Sequence, residues 1–374
     1  MASRTGAIER ARKYIDNGEF EADLARRVAI PTESQTPEGF PHLQHYLDEE
    51  MIPAFEKMGF TCKVYPNPRP GAGPVLLATR TEDAALPTVL GYGHGDVIRG
   101  LEDQWTKGAG PWKTARDGER LYGRGTADNK GQHTINMAAM KAVIEERGKL
   151  GFNAKVMIEM GEENGSMGVH EIIAANKSDF AADVFIGSDG PRVRMDRPTM
   201  SLGARGAQNF DLVCELRDGG HHSGNWGGAL ADPAAILAHA IATIVSPTGE
   251  ILVDAWRPPP MTDAVREALS DVQLDGGENG PEIDPDWGEP GLTPAENVYA
   301  FNSFAVLAMK SGNPDSPVNA IAPWARAHCQ LRYIAGTDRD NIIPALRKHL
   351  ADAGIDRVRV EPPPPANAAG FDAS

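Results

Sequence analysis

Apolar residues recur at helical spacing between Pro41 and Phe60, at Leu43, Leu47, Met51, Phe55 and Met58, and this predicts an amphipathic helix. Three short runs of strand character follow, Thr61 to Tyr65, Val75 to Thr79 and Thr88 to Gly93. The pattern then predicts a helix over Asn129 to Arg147 with an apolar face at Ile135, Ala139, Ala142 and Val143. Beyond it come a strand at Lys155 to Met160, a helix at Met167 to Asn176 and a strand at Asp183 to Gly187. Strands that alternate with helices predict an α/β domain built on a largely parallel sheet covered on both faces.

After Pro198 the pattern changes. Gly203 to Leu216 reads as a long strand, and Asp232 to Ile244 as a helix with Asp232 as its N-cap and Pro233 at its first position. An irregular stretch rich in Pro, Gly, Asp and Glu runs from Ser246 to Pro294, with no chemistry assigned to it. Strands at Val298 to Lys310 and Ala325 to Ile334, a helix at Arg339 to Ala353 and a strand at Val358 to Glu361 complete β-α-β-β-α-β, a ferredoxin-like α+β arrangement. The expected division is a first domain over 1–198, an inserted domain over 199–362, and a return towards the first domain over 363–374.

Composition narrows the classes. At 374 residues and 41% hydrophobic, the chain has enough material for two cores. A formal charge of -15 argues against a nucleic-acid partner, which would need clustered Lys and Arg. Cys62, Cys214 and Cys329 are odd in number and far apart, so neither a disulfide frame nor a thiolate metal site is expected, and reduced thiols fit a cytoplasmic protein. The charged N-terminus has no apolar core of a signal peptide and no stretch reaches membrane-spanning length, so no membrane association is expected.

The chemistry sits in the first domain. His94 and Asp96 stand in G-H-G-D-V, Asp128 in L-Y-G-R-G-T-A-D-N-K-G, Glu162 and Glu163 in G-E-E-N-G-S, and Asp189 in S-D-G. Taken singly, each has a plain structural explanation: a satisfied polar pair, a helix cap, a solvated acidic face, a turn. Together they fall at element ends on one expected edge, just past strand C-termini, where open α/β sheets place their sites. Carboxylates and a neutral imidazole in that arrangement are a ligand set for a pair of divalent metal ions, and the residues point to a two-metal hydrolase.

These motifs, with H-H-S-G-N-W-G-G further on, resemble the zinc aminopeptidase-like family of carnosinase-type dipeptidases, aminoacylases, acetylornithine and succinyl-diaminopimelate deacylases and carboxypeptidase G, over about Ile30 to Leu350. The dipeptidase branch carries the nearest motifs. The resemblance implies a metal-binding domain interrupted by a lid and dimerisation domain, and two Zn2+ ions, with Mn2+ or Co2+ as possible substitutes. By the same resemblance His94 and Asp189 hold one ion, Glu163 the other, and Asp128 bridges both. Glu162 is the general base that activates a bridging hydroxide, and Asp96 fixes the tautomer of His94. His222 would stabilise the oxyanion, Arg332 in Q-L-R-Y would pair with a substrate carboxylate, and Asn319 would contact substrate. His221, His42, His45, His133, His170, His239, His328 and His349 lie off the motifs and are expected on the surface or on helix faces.

The expected activity is hydrolysis of a peptide or N-acyl amide bond in a small carboxylate-bearing substrate by a homodimer, with dipeptidase first and N-deacylase or amidohydrolase second. In relatives the first domain resumes after the lid and supplies a further metal-binding histidine, for which this chain shows no candidate after Glu361. It is therefore expected to be a piece of a longer protein, the other reading being an inactive dimerising remnant.

Overall fold

The computed structural model describes residues 4–190, 199–201, 203–274 and 281–363. The chain divides after residue 191 into two compact units.

The first unit opens with helices α1 (Arg4–Asp16) and α2 (Glu19–Val28), which apolar spacing does not announce. The amphipathic segment that follows is α3 (Phe40–Tyr46), a π-helical turn at Leu47–Met51 and α4 (Ile52–Lys57). Pro53 has no N–H to donate back along the helix, and a widened turn directly before it is where such a helix relaxes. Strands β1 (Thr61–Tyr65), β2 (Val75–Arg80) and β3 (Thr88–His94) come next, then a hairpin of β4 (Ala115–Asp117) and β5 (Arg120–Tyr122). Helix α5 (Lys130–Arg147), β6 (Asn153–Glu159), α6 (Val169–Ala175), α7 (Lys177–Phe180) and β7 (Val184–Gly187) complete the unit.

The main sheet has the order β1-β2-β6-β3-β7. The pairs β3–β6 and β3–β7 are parallel, whereas β2 runs antiparallel to both β1 and β6. All strands but β2 therefore point one way, the mixed but mostly parallel α/β sheet that the pattern predicts. Alternation along β2 explains why both faces are covered: Leu76 and Ala78 join Tyr46, Phe55 and Ile158 under α3 to α5, while Val75 and Leu77 join Met157, Ile172 and Phe180 under α6 and α7. Each large apolar side chain so buried contributes about 1.5–3 kcal/mol, which fixes the sheet as the platform for the loops at its C-terminal edge.

The second unit contains β8 (Gly206–Glu215), a short β9 (His221–His222), α8 (Ser223–Trp226), α9 (Pro233–Ile244), α10 (Asp263–Leu269), α11 (Pro294–Tyr299), β10 (Ser303–Lys310), β11 (Ala320–Ile321), β12 (Trp324–Tyr333), α12 (Ile342–Asp352) and β13 (Arg359–Glu361). Its antiparallel sheet has the order β10-β12-β8-β13, the ferredoxin-like arrangement. As expected, Asp232 caps α9, its side chain accepting from the Ala234 N–H at 2.9 Å. The irregular stretch is less empty than its composition implies, because Trp256 is fully buried in the core and donates to the Ile342 carbonyl at 2.9 Å. The start of the segment read as a strand from Val298 belongs to α11, set by a capping box between Thr293 and Glu296. The expected return to the first domain over 363–374 lies almost wholly outside the described residues. Among the described residues no helix is long and apolar enough to cross a membrane.

Candidate metal centre

His94 is the last residue of β3 and its side chain is fully buried. Its Nδ1 lies 3.0 Å from the Asp96 carbonyl, which can only accept, so Nδ1 carries the proton and the Nε2 lone pair faces outward. Nε2 meets Asp128 Oδ1 at 2.9 Å, Asp189 Oδ1 at 3.5 Å and Glu162 Oε2 at 3.9 Å. A lone pair aimed at three carboxylates is repulsive unless a cation lies between them. Burial works against a charged His94, yet the hydrogen bonds to Asp128, Asp189 and Asp96 outweigh it and its pKa is raised. Donors that hold a proton this firmly also suit a divalent metal ion.

The ligand atoms fall into two overlapping groups. Those of His94, Asp128 and Glu163 lie within 4.8 Å of one another, and so do those of His94, Glu162 and Asp189. One imidazole nitrogen and several carboxylate oxygens form a donor set for a hard or borderline divalent ion, so the residues present fit the expected metal.

Asp96 holds this arrangement together. It is fully buried, its Oδ1 lies 3.3 Å from His94 Nδ1, and its carboxylate accepts from the Glu162 N–H at 3.2 Å, the Glu163 N–H at 3.1 Å and the Ser34 hydroxyl at 2.6 Å. The end of β3 is thereby tied to the 3-10 turn Glu162–Asn164 that follows β6. Asp96 thus touches His94 and fixes the backbone of both glutamates. Ser34 shows no motif and was missed by sequence reasoning.

The acids have distinct environments. Burial, with the Asp128 charge next, pushes Glu163 up to about 7, and burial likewise raises Glu162. Burial pushes Asp189 up too, but hydrogen bonds to His94 and Asn129 prevail and hold it below the usual carboxylate value. Glu159, which is paired with His94 across the parallel sheet, was not singled out from the sequence. It is 2% exposed, accepts from the Tyr92 hydroxyl at 2.7 Å and the Ser166 hydroxyl at 3.0 Å, and its Oε2 has no partner among the described residues.

Burial raises Glu159 from 4.5 to about 7 against those two hydrogen bonds. The folded state therefore keeps a proton that the unfolded chain releases, so this group's stabilisation is complete below pH 4.5 and is lost as pH rises through 7. The loss is on the order of 3 kcal/mol. In metal-free protein the urea midpoint is expected to fall more steeply between pH 5 and 7.5 for the wild type than for Glu159→Gln. Equal slopes would show that Glu159 does not hold the proton.

In the second unit, β9 pairs with β11, with Ala320 opposite His222, so His222 and Asn319 lie side by side. The Ser223 N–H donates to the Asn319 carbonyl at 2.9 Å, and His222 Nδ1 accepts from the Gly224 N–H at 3.1 Å, leaving Nε2 as the available nitrogen. Arg332 lies on β12 opposite Ser303, and its Nε donates to Gln330 at 2.8 Å. Arg205, absent from the sequence reading, donates to the same Ser303 hydroxyl at 3.0 Å, and burial together with the Arg332 charge lowers its pKa. Neither arginine has a carboxylate partner among the described residues. His133, expected on the surface or on a helix face, lies on α5, is 2% exposed and belongs to the polar layer beneath the centre.

The model of peptidase family M20/M25/M40 matches residues 90–369. The β-Ala-His dipeptidase of Rattus norvegicus is 30% identical over 292 residues, covering 72% of this chain and 58% of the relative. The cysteinylglycine-S-conjugate dipeptidase of Corynebacterium striatum is 30% identical over 261 residues, covering 67% of this chain and 54% of the relative. The chain thus spans little more than half the length of these curated relatives. Among solved structures, human carnosine dipeptidase 1 superposes with a TM-score of 0.72 at 23% identity, covering 98% of this chain and 81% of that one. A dipeptidase from Saccharomyces cerevisiae gives 0.73 at 20% identity, covering 100% and 81%. At these identities the structural likeness establishes the fold.

Proposed function

The chain belongs to peptidase family M20/M25/M40, and from that premise we propose that it is the metal-binding and lid portion of a zinc-dependent dipeptidase acting on small carboxylate-bearing substrates. The observation that carries the reading is the outward lone pair of His94 facing Asp128, Asp189 and Glu162, with Glu163 in the adjoining group. His94 and Asp189 would hold one ion and Glu163 the other, with Asp128 available to both. Bound zinc would polarise the scissile carbonyl and lower the pKa of the attacking water.

Glu162 does the proton work. Its backbone is fixed through Asp96, and burial raises its pKa, which makes the carboxylate a better acceptor of a proton from water, to be returned to the leaving amine. His222 Nε2 serves as donor to the oxyanion. Arg332 binds the substrate carboxylate through its planar fork, with Arg205 beside it, and Asn319 contacts substrate. Two neighbouring guanidinium groups without acidic partners among the described residues support a substrate that brings its own carboxylate.

The reading extends to a homodimer and to the cytoplasm, the latter supported by three free cysteines. In the second sheet β8 is an inner strand, flanked by β12 along its length and by β13 at Asp211 to Val213. The edge strand β10 is the better candidate, since it exposes Val306, Leu307 and Met309. A panel of dipeptides set against N-acetyl and N-succinyl amino acids tests the reaction class. Dipeptide turnover is expected to dominate; faster cleavage of the acyl amino acids would move the assignment to an N-deacylase.

A further inference from the structure

Beneath the candidate metal centre three buried side chains form a single hydrogen-bonded file. Tyr46 OH lies 2.7 Å from His133 Nε2, His133 Nδ1 lies 3.3 Å from Asn129 Oδ1, and Asn129 Nδ2 donates to Asp189 Oδ1 at 3.0 Å and to the Ser188 carbonyl at 2.6 Å. Asn129 Oδ1 also receives the His94 N–H at 3.4 Å. Tyr46 and Asn129 are fully buried and His133 is 2% exposed.

Every donor and acceptor in the file is determined. The Ser188 carbonyl and the Asp189 carboxylate only accept, so the Asn129 amide turns its NH2 to them and its oxygen to His94 and His133. His133 must then carry its proton on Nδ1, which leaves Nε2 to accept from the Tyr46 hydroxyl. The file thus runs in one direction, from the tyrosine hydroxyl to the Asp189 carboxylate. Room for it is made by the glycines either side of His94: a Cβ on Gly93 would come 2.9 Å from Asn129 Oδ1 and 3.0 Å from His133 Cβ, and one on Gly95 would come 2.7 Å from the Tyr46 ring. The G-H-G spacing therefore accommodates the file as well as presenting the histidine.

We propose that Tyr46, His133 and Asn129 are positioning residues that lock Asp189 and the backbone of His94, one from β7 and one from β3, into metal-binding orientation. The inference rests on the metal reading above but not on any substrate, so failure of the dipeptidase assignment would leave it standing. Outer contacts of this kind change metal affinity by about 10–100-fold.

The test measures zinc affinity by chelator competition on the full chain, with the thermal midpoint of the metal-free protein measured alongside. Asn129→Asp keeps the size of the side chain but removes the donor and sets a second carboxylate against Asp189, so the zinc Kd is expected to rise by about 10–100-fold. Tyr46→Phe removes one hydroxyl and leaves His133 Nε2 without a donor, so a several-fold rise in Kd is expected, with the Nε2 resonance of His133 moved in its 15N spectrum while the Nδ1–H tautomer set by Asn129 persists. A lower thermal midpoint in either variant with an unchanged Kd would mean that the file is only structural, and would overturn the proposal. Weakened zinc in Asn129→Asp but not in Tyr46→Phe would overturn the relay. Should Asn129→Asp fail to fold, Tyr46→Phe decides the matter alone.

Discussion

Replacing Glu162 by alanine is expected to reduce dipeptide turnover by about 10²–10⁴-fold, the range for loss of a general base, while the zinc content stays at the wild-type level. The separation of the two effects follows from geometry. The Glu162 N–H, held by Asp96 at 3.2 Å, survives the substitution, so the turn that also carries Glu163 keeps its place. Only the carboxylate is lost, and with it the group that takes the proton from water and returns it to the leaving amine. The overlapping ligand groups sharpen the test, because Glu162 as well as Glu163 can reach a metal alongside His94. If Glu162→Ala loses zinc and Glu163→Ala keeps it, the two glutamates have exchanged roles. Full turnover in Glu162→Ala, measured with metal replete, would remove the base assignment altogether.

The proposed acids were legible in the sequence for a physical reason. All but Asp128, which lies at the turn entering α5, stand where a strand delivers its chain to the C-terminal edge of a mostly parallel sheet, and such ends can be read from short apolar runs bounded by glycine. What supports them was not legible. The apolar scan of α5 selects Ile135 and Ala139, yet both are exposed, and the buried side of its first half carries Lys130, His133 and Thr134. Lys130 Nζ donates to the Arg27 and Ile30 carbonyls, and the Arg27 guanidinium donates to Thr134. A helix that packs on a polar layer has no apolar stripe to detect, because its burial is compensated by hydrogen bonds whose partners lie about a hundred residues away in sequence. Arg205 was hidden for a related reason, since its significance arises only when β10 and β12 bring Ser303 and Arg332 together. Trp256 shows the same limit for the core: proline-rich surroundings mark its neighbours as irregular but do not say which of them fold inward.

Asp128→Ala is expected to bring bound zinc to background in elemental analysis, a loss of more than about 100-fold in affinity, without unfolding the protein. A removed ligand should cost more than a removed outer contact, and Asp128 is the ligand assigned to both ions. Its side chain is 66% exposed and His94 Nε2 is its one hydrogen-bond partner among the described residues, so the truncation opens no cavity and unpairs no buried group outside the centre. The metal-free variant should lose only what the Asp128 bond gives the buried His94 imidazole, a small fall in thermal midpoint, and it should lack the rise that zinc gives the wild type, since a ligand that binds only the folded state stabilises it. Wild-type zinc retention in Asp128→Ala would mean that His94, Glu162, Glu163 and Asp189 suffice, and the shared-ligand role would have to pass to one of them. A fall in the metal-free variant as large as the whole zinc-induced rise of the wild type would instead show that Asp128 supports the turn entering α5, and the residue would have to be reassigned from chemistry to structure.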